Sequence, residues 1–289
     1  MKTAIIIGYR GFVGQHLTKL LDANDLSWVG FDLKDGDDIR DKHALEYFFE
    51  CNQIRQVIHL AALTGIRRSK LFPDEYISTN ILGTQNVVDM SNKYNVEKLI
   101  FYSSSSVFGT GGVSPFKEND NKQPISLYGI TKLAGEHIVN NATCQTVIVR
   151  PFTIYGEGGR KDTVIYRWLE QYKNRLPITV YGDGDSCRGY VYVKDLVKAT
   201  VDVLNWNFSN RHENFNLGGS EIVYLRDIVK IFSDSLPDAS FLKLDLPVED
   251  VYVNYSDVSK AKKVIGFNPR PNFADNLKKI IKEFKKKNK

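Results

Sequence analysis

Five short apolar runs, TAIII, LSWVGF, QVIHLAA, KLIFYS and QTVIVRP, recur through the first 151 residues. Between them the apolar residues return at helical spacing, as in VGQHLTKLL and GTQNVVDMSNKY. Unbroken apolar runs suit strands buried on both faces, so the alternation predicts an α/β fold built on a doubly wound parallel sheet. After Pro151 the alternation stops, and Gly156, Gly158 and Gly159 open a loop that leads into helices and short strands. A smaller α/β lobe is expected there. The stretch YVYVKDLVKATVDVL reads as a strand and helix returning to the sheet, so the expected division is 1–155 with 188–219 for the sheet domain and 156–187 with 220–289 for the smaller lobe.

Composition narrows this picture. With 289 residues, 42% of them apolar, the chain can fill a substantial core. The net charge is +5, and much of the excess lies in the final KKIIKEFKKKNK, which reads as an amphipathic helix with a solvated basic end, not as a nucleic-acid surface. No apolar run reaches the roughly eighteen residues of a membrane span, and MKTAIIIGYRG passes from one basic residue to a short strand, unlike a signal peptide. Cys51, Cys144 and Cys187 are odd in number, far apart and without metal-ligand spacing. A protein of the reducing cytoplasm, with no structural metal and no membrane partner, is expected.

The first candidate chemistry is IIIGYRGFVGQHL, where Gly8, Gly11 and Gly14 stand between an apolar strand and an apolar-faced helix. Glycines at such a turn let the backbone approach a pyrophosphate seated on the helix N-terminus. The second run ends in GFDLKDG and places Asp32 where a carboxylate accepts from the adenine ribose 2′-hydroxyl and repels a 2′-phosphate. That pattern favours NAD. Arg10 in the glycine loop and Lys34 after Asp32 would instead suit the 2′-phosphate of NADP.

The second is SLYGITKLAGEH, which reads as a helix start with Tyr128 and Lys132 on one face. A phenol beside an ammonium and a positive nicotinamide ring is brought toward a useful general base. The strand KLIFYS runs into four serines at the carboxyl edge of the sheet, where ligands of such folds bind.

Taken in order, GYRGFVG, HLAA, SSSSVFG, YGITK and RPFTIYG resemble the extended short-chain dehydrogenases, the family of nucleotide-sugar epimerases and dehydratases. GDGDSCRGYVYVKDLVKA and DVSKAKKVIGFNP extend the resemblance over nearly the whole chain. It implies Ser104, Tyr128 and Lys132 as catalytic residues. Around the dinucleotide it implies Gly8, Gly11, Phe12, Val13, Gly14, Asp32, Asp38, Ile39, Leu60, Ala61 and Ala62 together with Tyr128 and Lys132. It further implies Arg188 on the substrate phosphates, Asn80 and Ser105 near the substrate, and a homodimer paired through helices that begin near Thr79 and Tyr128.

Dehydratases of this family carry an Asp-Glu pair after the catalytic hydroxyl, and decarboxylases retain the Glu; here Ser105 and Ser106 stand instead. The resemblance therefore implies epimerisation at C4 of a UDP-sugar through a 4-ketosugar. RPFTIYGEGGR looks most like UDP-glucuronate 4-epimerases, in which a Thr and an Arg, here Thr153 and Arg160, hold the sugar carboxylate. UDP-glucose/UDP-galactose is the other substrate pair considered. An NADPH-dependent 4-ketosugar reductase, similar to GDP-fucose synthases in its GYRGFVG loop, is the alternative enzyme. A non-catalytic dinucleotide-binding scaffold is the alternative outside enzymes.

Overall fold

The computed structural model describes residues 3–245 and 251–288. The first part of the chain forms β1 (Thr3–Ile7), α1 (Phe12–Asp22), β2 (Trp28–Phe31), α2 (Lys42–Cys51), β3 (Ile54–His59), α3 (Ile66–Leu71), α4 (Pro73–Ile77), α5 (Gly83–Lys93) and β4 (Lys98–Tyr102). A π-helical turn, Ser78–Leu82, joins α4 to α5. Then follow α6 (Leu127–Val139), β5 (Gln145–Pro151), β6 (Thr153–Tyr155), α7 (Val164–Lys173), β7 (Ile178–Tyr181), β8 (Cys187–Tyr192) and α8 (Val193–Asn205). The chain continues through β9 (His212–Leu217), β10 (Ile222–Tyr224), α9 (Leu225–Ser235), β11 (Phe241–Leu244), β12 (Val253–Asn254), α10 (Ser259–Ile265) and α11 (Phe273–Lys287).

All five apolar runs are strands of one parallel sheet, ordered β2-β1-β3-β4-β5-β9. Successive strand residues face opposite sides, so Ile5 and Ile7 pack under α2, α5 and α6 while Ile6 packs under α1 and α8. Both faces are covered, which is why the runs are apolar throughout. Ala261 and Ile265 of α10 join the α1/α8 side. The chain leaves β1 toward β2 on one side and returns to β3 on the other, so the loops after β1 and β3 part at the carboxyl edge of the sheet and open a crevice.

A second core, with Tyr155, Trp168, Ile178, Phe232, Leu277 and Ile281 at its centre, lies between α7, α9, α11 and the short strands. The basic C-terminal segment is indeed an amphipathic helix: Leu277, Ile280 and Ile281 are buried, and Lys285 to Lys287 form its last turn. Among the described residues no helix is long and apolar enough to cross a membrane.

Candidate active site

A cleft of about 1090 Å³ runs from the glycine loop, past the end of β4, to the short strands of the second core. At its first end β1 passes into α1 through Gly8, whose φ of +90° suits glycine and whose Cβ, were there one, would lie 2.7 Å from the Ala61 nitrogen. Gly11 is the N-cap of α1, with no side chain capping the helix and no acid in its first turn. The first amides of α1 are thus open to an anion, as a pyrophosphate cradle requires. Gly8, Gly11, Phe12, Val13, Gly14, Leu60 and Ala62 line the cleft, whereas Ala61 supports it through its backbone bond to Ile7.

Asp32 ends β2 and accepts backbone bonds from Arg10 at 2.8 Å and Lys34 at 2.9 Å, which fix its carboxylate beside the glycine loop. Asp38 is turned to Arg40 in a bidentate pair, and the Ile39 side chain is buried in the core against Gly83. None of these three side chains is in the cleft lining, and of them Asp32 alone adjoins the glycine loop, through its bond from Arg10 N. The residues present therefore fit a dinucleotide: a glycine turn, an open helix N-terminus and a fixed carboxylate at the expected place.

At the centre, Ser126 caps α6 by accepting from Gly129 N, which sets Tyr128 in its first turn and Lys132 one turn later. Tyr128 and Ser104 both line the cleft, and Ser104 caps the short turn after β4 by accepting from Ser106 N at 3.1 Å. Burial raises the Tyr128 phenol above its ordinary value, while the Arg160 charge and the Ser104 hydroxyl pull it back. Lys132 is buried, its Nζ 4.3 Å from the centre of the Phe101 ring; burial pushes its pKa down to about 7, with Glu136 opposing. In a dry pocket each charge is penalised, so burial opposes the ionisation of both Tyr128 and Lys132. Glu136 is itself buried, bonded twice to Arg150 at 2.8 Å and once to Ser103 at 2.5 Å.

The far end holds Thr153, Arg160 and Arg188, all lining the cleft. Arg160 donates through Nε and Nη2 to both oxygens of Asp162, and Arg188 is anchored on the Cys187 and Tyr252 carbonyls. Ser105 lines the cleft near β12, accepting from Asn254 at 3.3 Å. Asn80, expected at the substrate, is placed elsewhere: only 2% exposed, its amide pairs with both backbone groups of Leu63 and with Thr131. It shapes the loop after β3 and does not touch the cleft, because the π-helical turn directs it inward. Sequence reasoning missed Arg67 and Arg167, which each lie 5.0 Å from the centre of the Tyr181 ring in the cleft wall. Nothing local links these three positions.

The lining includes Arg67, Arg68, Lys132, Arg160, Lys161, Arg167 and Arg188 but, among the described residues, a single carboxylate, Asp162. Such a cleft favours a polyanionic ligand. The profile of the NAD dependent epimerase/dehydratase family matches residues 4–218. The chain belongs to that family. It is 30% identical to a UDP-glucuronate 4-epimerase of Thermodesulfobacterium geofontis, over 96% of this chain and 94% of the relative. Among solved structures it resembles UDP-glucuronic acid 4-epimerase from Bacillus cereus in complex with UDP-glucuronic acid and NAD, with a TM-score of 0.87, 29% identity and 97% and 99% of the two chains covered. It also resembles MoeE5, solved with NAD and either UDP-glucuronic acid or UDP-glucose, with a TM-score of 0.88, 28% identity and 99% of each chain covered. NAD is the cofactor of this epimerase, as the glycine loop and Asp32 anticipate.

Proposed function

We propose that the protein interconverts UDP-glucuronate and UDP-galacturonate by inverting C4 through a 4-ketosugar. The observation that carries the uronate is that Arg160 and Tyr128 line the same cleft on either side of Tyr76: the Arg160 guanidinium and the Tyr76 hydroxyl both come within 4 Å of where a Cβ on Gly65 would lie, and the Tyr76 ring is 6.4 Å from the Tyr128 ring. In a hexuronate O4 and the C6 carboxylate branch from adjacent ring carbons, so a cation for the carboxylate must stand beside the base for O4. Thr153, on β6, lines the same wall. Tyr128 takes the proton from O4 and later returns it, and Ser104 holds the same oxygen through its hydroxyl. NAD held by the Gly8, Gly11 and Gly14 turn and the α1 N-terminus would supply the hydride acceptor and donor for C4. Elimination of water would need an acid and a base; Ser105 and Ser106 supply neither, and Asp162, the one carboxylate in the lining among the described residues, is paired with Arg160.

That pairing favours a second reading, a neutral UDP-glucose/UDP-galactose pair, because Asp162 balances the Arg160 charge. A single ratio separates them: kcat/KM for UDP-glucuronate over UDP-glucose, in wild type and in Arg160→Leu. Loss of a charge-assisted contact in a water-poor pocket should lower the ratio by about 30-fold to several thousand-fold, or about 2 to 5 kcal/mol. An unchanged ratio, or a wild type that prefers UDP-glucose, favours the neutral sugar.

The protein acts as a homodimer in the cytoplasm. Free thiols at Cys51, Cys144 and Cys187 support a reducing compartment. Exposed Ile77, Leu82 and Ile130, on the packed elements α4, the π-helical turn and α6, support pairing through that face.

A further inference from the structure

The glycine loop carries an arginine that looks misplaced in an NAD site, and the structure supplies its counterweight. Arg10 and Lys34 flank Asp32, both donating backbone N–H groups to its carboxylate. Whatever sits on Asp32 therefore has these two cations as neighbours, an arrangement that would welcome the 2′-phosphate of NADP. Both are engaged. Arg10 donates through Nη1 to Asp35 Oδ1, and Lys34 donates through Nζ to the Arg10 carbonyl at 3.0 Å.

Asp35 is held for this task from the other side as well. It lies in the short turn Leu33–Asp35, which Asp32 caps, and accepts from the Tyr9 hydroxyl at 2.5 Å. The Tyr9 ring lies over Gly30 of β2, where a Cβ would come within 2.5 Å of it, and packs 5.7 Å from Trp28. Gly30 thus makes room for Tyr9, Tyr9 presents its hydroxyl to Asp35, and Asp35 takes the Arg10 guanidinium. The Tyr9 bond, and after it Arg10, holds the Asp35 carboxyl below its ordinary range, so it is charged at neutral pH.

We propose that Asp35, oriented by Tyr9, is a cofactor-selectivity residue: it neutralises Arg10 and places a second negative charge beside Asp32, so that NADP is rejected despite the arginine in the loop. The pair is exposed and contributes little to stability. Its effect is on the charge that a 2′-phosphate meets, and it is independent of which sugar the enzyme uses.

Displacement of fluorescent NADH from the purified full-length protein, titrated with NAD or NADP, tests this without turnover. In Asp35→Asn the Kd for NADP should tighten by about tenfold while that for NAD stays within about twofold, since Asp32 remains. The gain should vanish when Arg10→Ala is added, because the released guanidinium is what binds the phosphate. Bound NADH fluorescence in each variant confirms that the site has formed. The proposal is overturned by an unchanged NADP affinity in Asp35→Asn, by a gain that persists in the double variant, or by loss of NADH binding, which would make Asp35 a residue of affinity and not of selectivity.

Discussion

Tyr128 and Lys132 are shifted in opposite directions by the same cause. Burial raises the phenol and lowers the ammonium to about 7, because in a dry pocket both prefer to be neutral. The phenolate is therefore a state that charges around it must create. Arg160 and the Ser104 hydroxyl already act in that direction, and a bound nicotinamide ring adds its positive charge. Tyr128→Phe removes the proton carrier and keeps the ring, so kcat should fall by about 10² to 10⁴-fold while dinucleotide stoichiometry stays unchanged. Steady-state assay together with the absorbance of released cofactor checks both halves. Near-normal kcat would move the base elsewhere.

At the scale of elements, the centre depends on how α6 is tied to the strands beneath it. Lys132 and Glu136 stand one turn apart on its inner face, and Glu136 binds Arg150 of β5 and Ser103 at the end of β4. Arg150 also donates to the Glu118 carbonyl at 3.1 Å, which draws in the loop before α6. Glu136→Gln leaves a buried guanidinium without its counter-charge, and about 3 to 5 kcal/mol of stability should be lost, read by urea unfolding. The same change removes the charge that opposes the burial of Lys132, so the Lys132 pKa should fall further below about 7, read by ¹³C NMR of labelled lysine. The sign for stability follows. Lys132 titrates lower in the fold than its ordinary 10.5, so the unfolded chain binds more protons between those values, and the contribution of Lys132 to stability improves as pH rises from about 7 to 10.5. A Lys132 pKa that stays put in Glu136→Gln would leave Glu136 a purely structural partner of Arg150.

Over the whole molecule, two surfaces stand out: the cationic cleft and the apolar face beside it. On the helix that begins near Thr79, Val87, Val88 and Met90 are buried within the chain's own core, and Leu82 is left 58% exposed. With Ile77 and Ile130 it marks a smaller face than the helix sequence implies. If the proposed dimer pairs through this face, Leu82→Glu should leave a monomer in light scattering at micromolar concentration, because a charge cannot be buried there without a partner. A wild type that is already monomeric would overturn the pairing.

Much of this protein is legible in its sequence, because strand and helix periodicity, the glycine turn and the Tyr128–Lys132 spacing are local patterns that burial leaves in neighbouring residues. The runs that became β1 to β5 and the cradle at Gly8, Gly11 and Gly14 needed no tertiary knowledge. The sixth strand did. HENFNL lies at the sheet edge and pairs only with β5, so it carries no continuous apolar run. Long-range pairings were equally hidden: Arg67 and Arg167 meet at Tyr181, Glu136 meets Arg150, and Asn80 turns from the cleft to Leu63 and Thr131. Only the tertiary structure decided how the charges are spent, because the partner of an arginine such as Arg10 or Arg160 is fixed by where the fold brings a carboxylate.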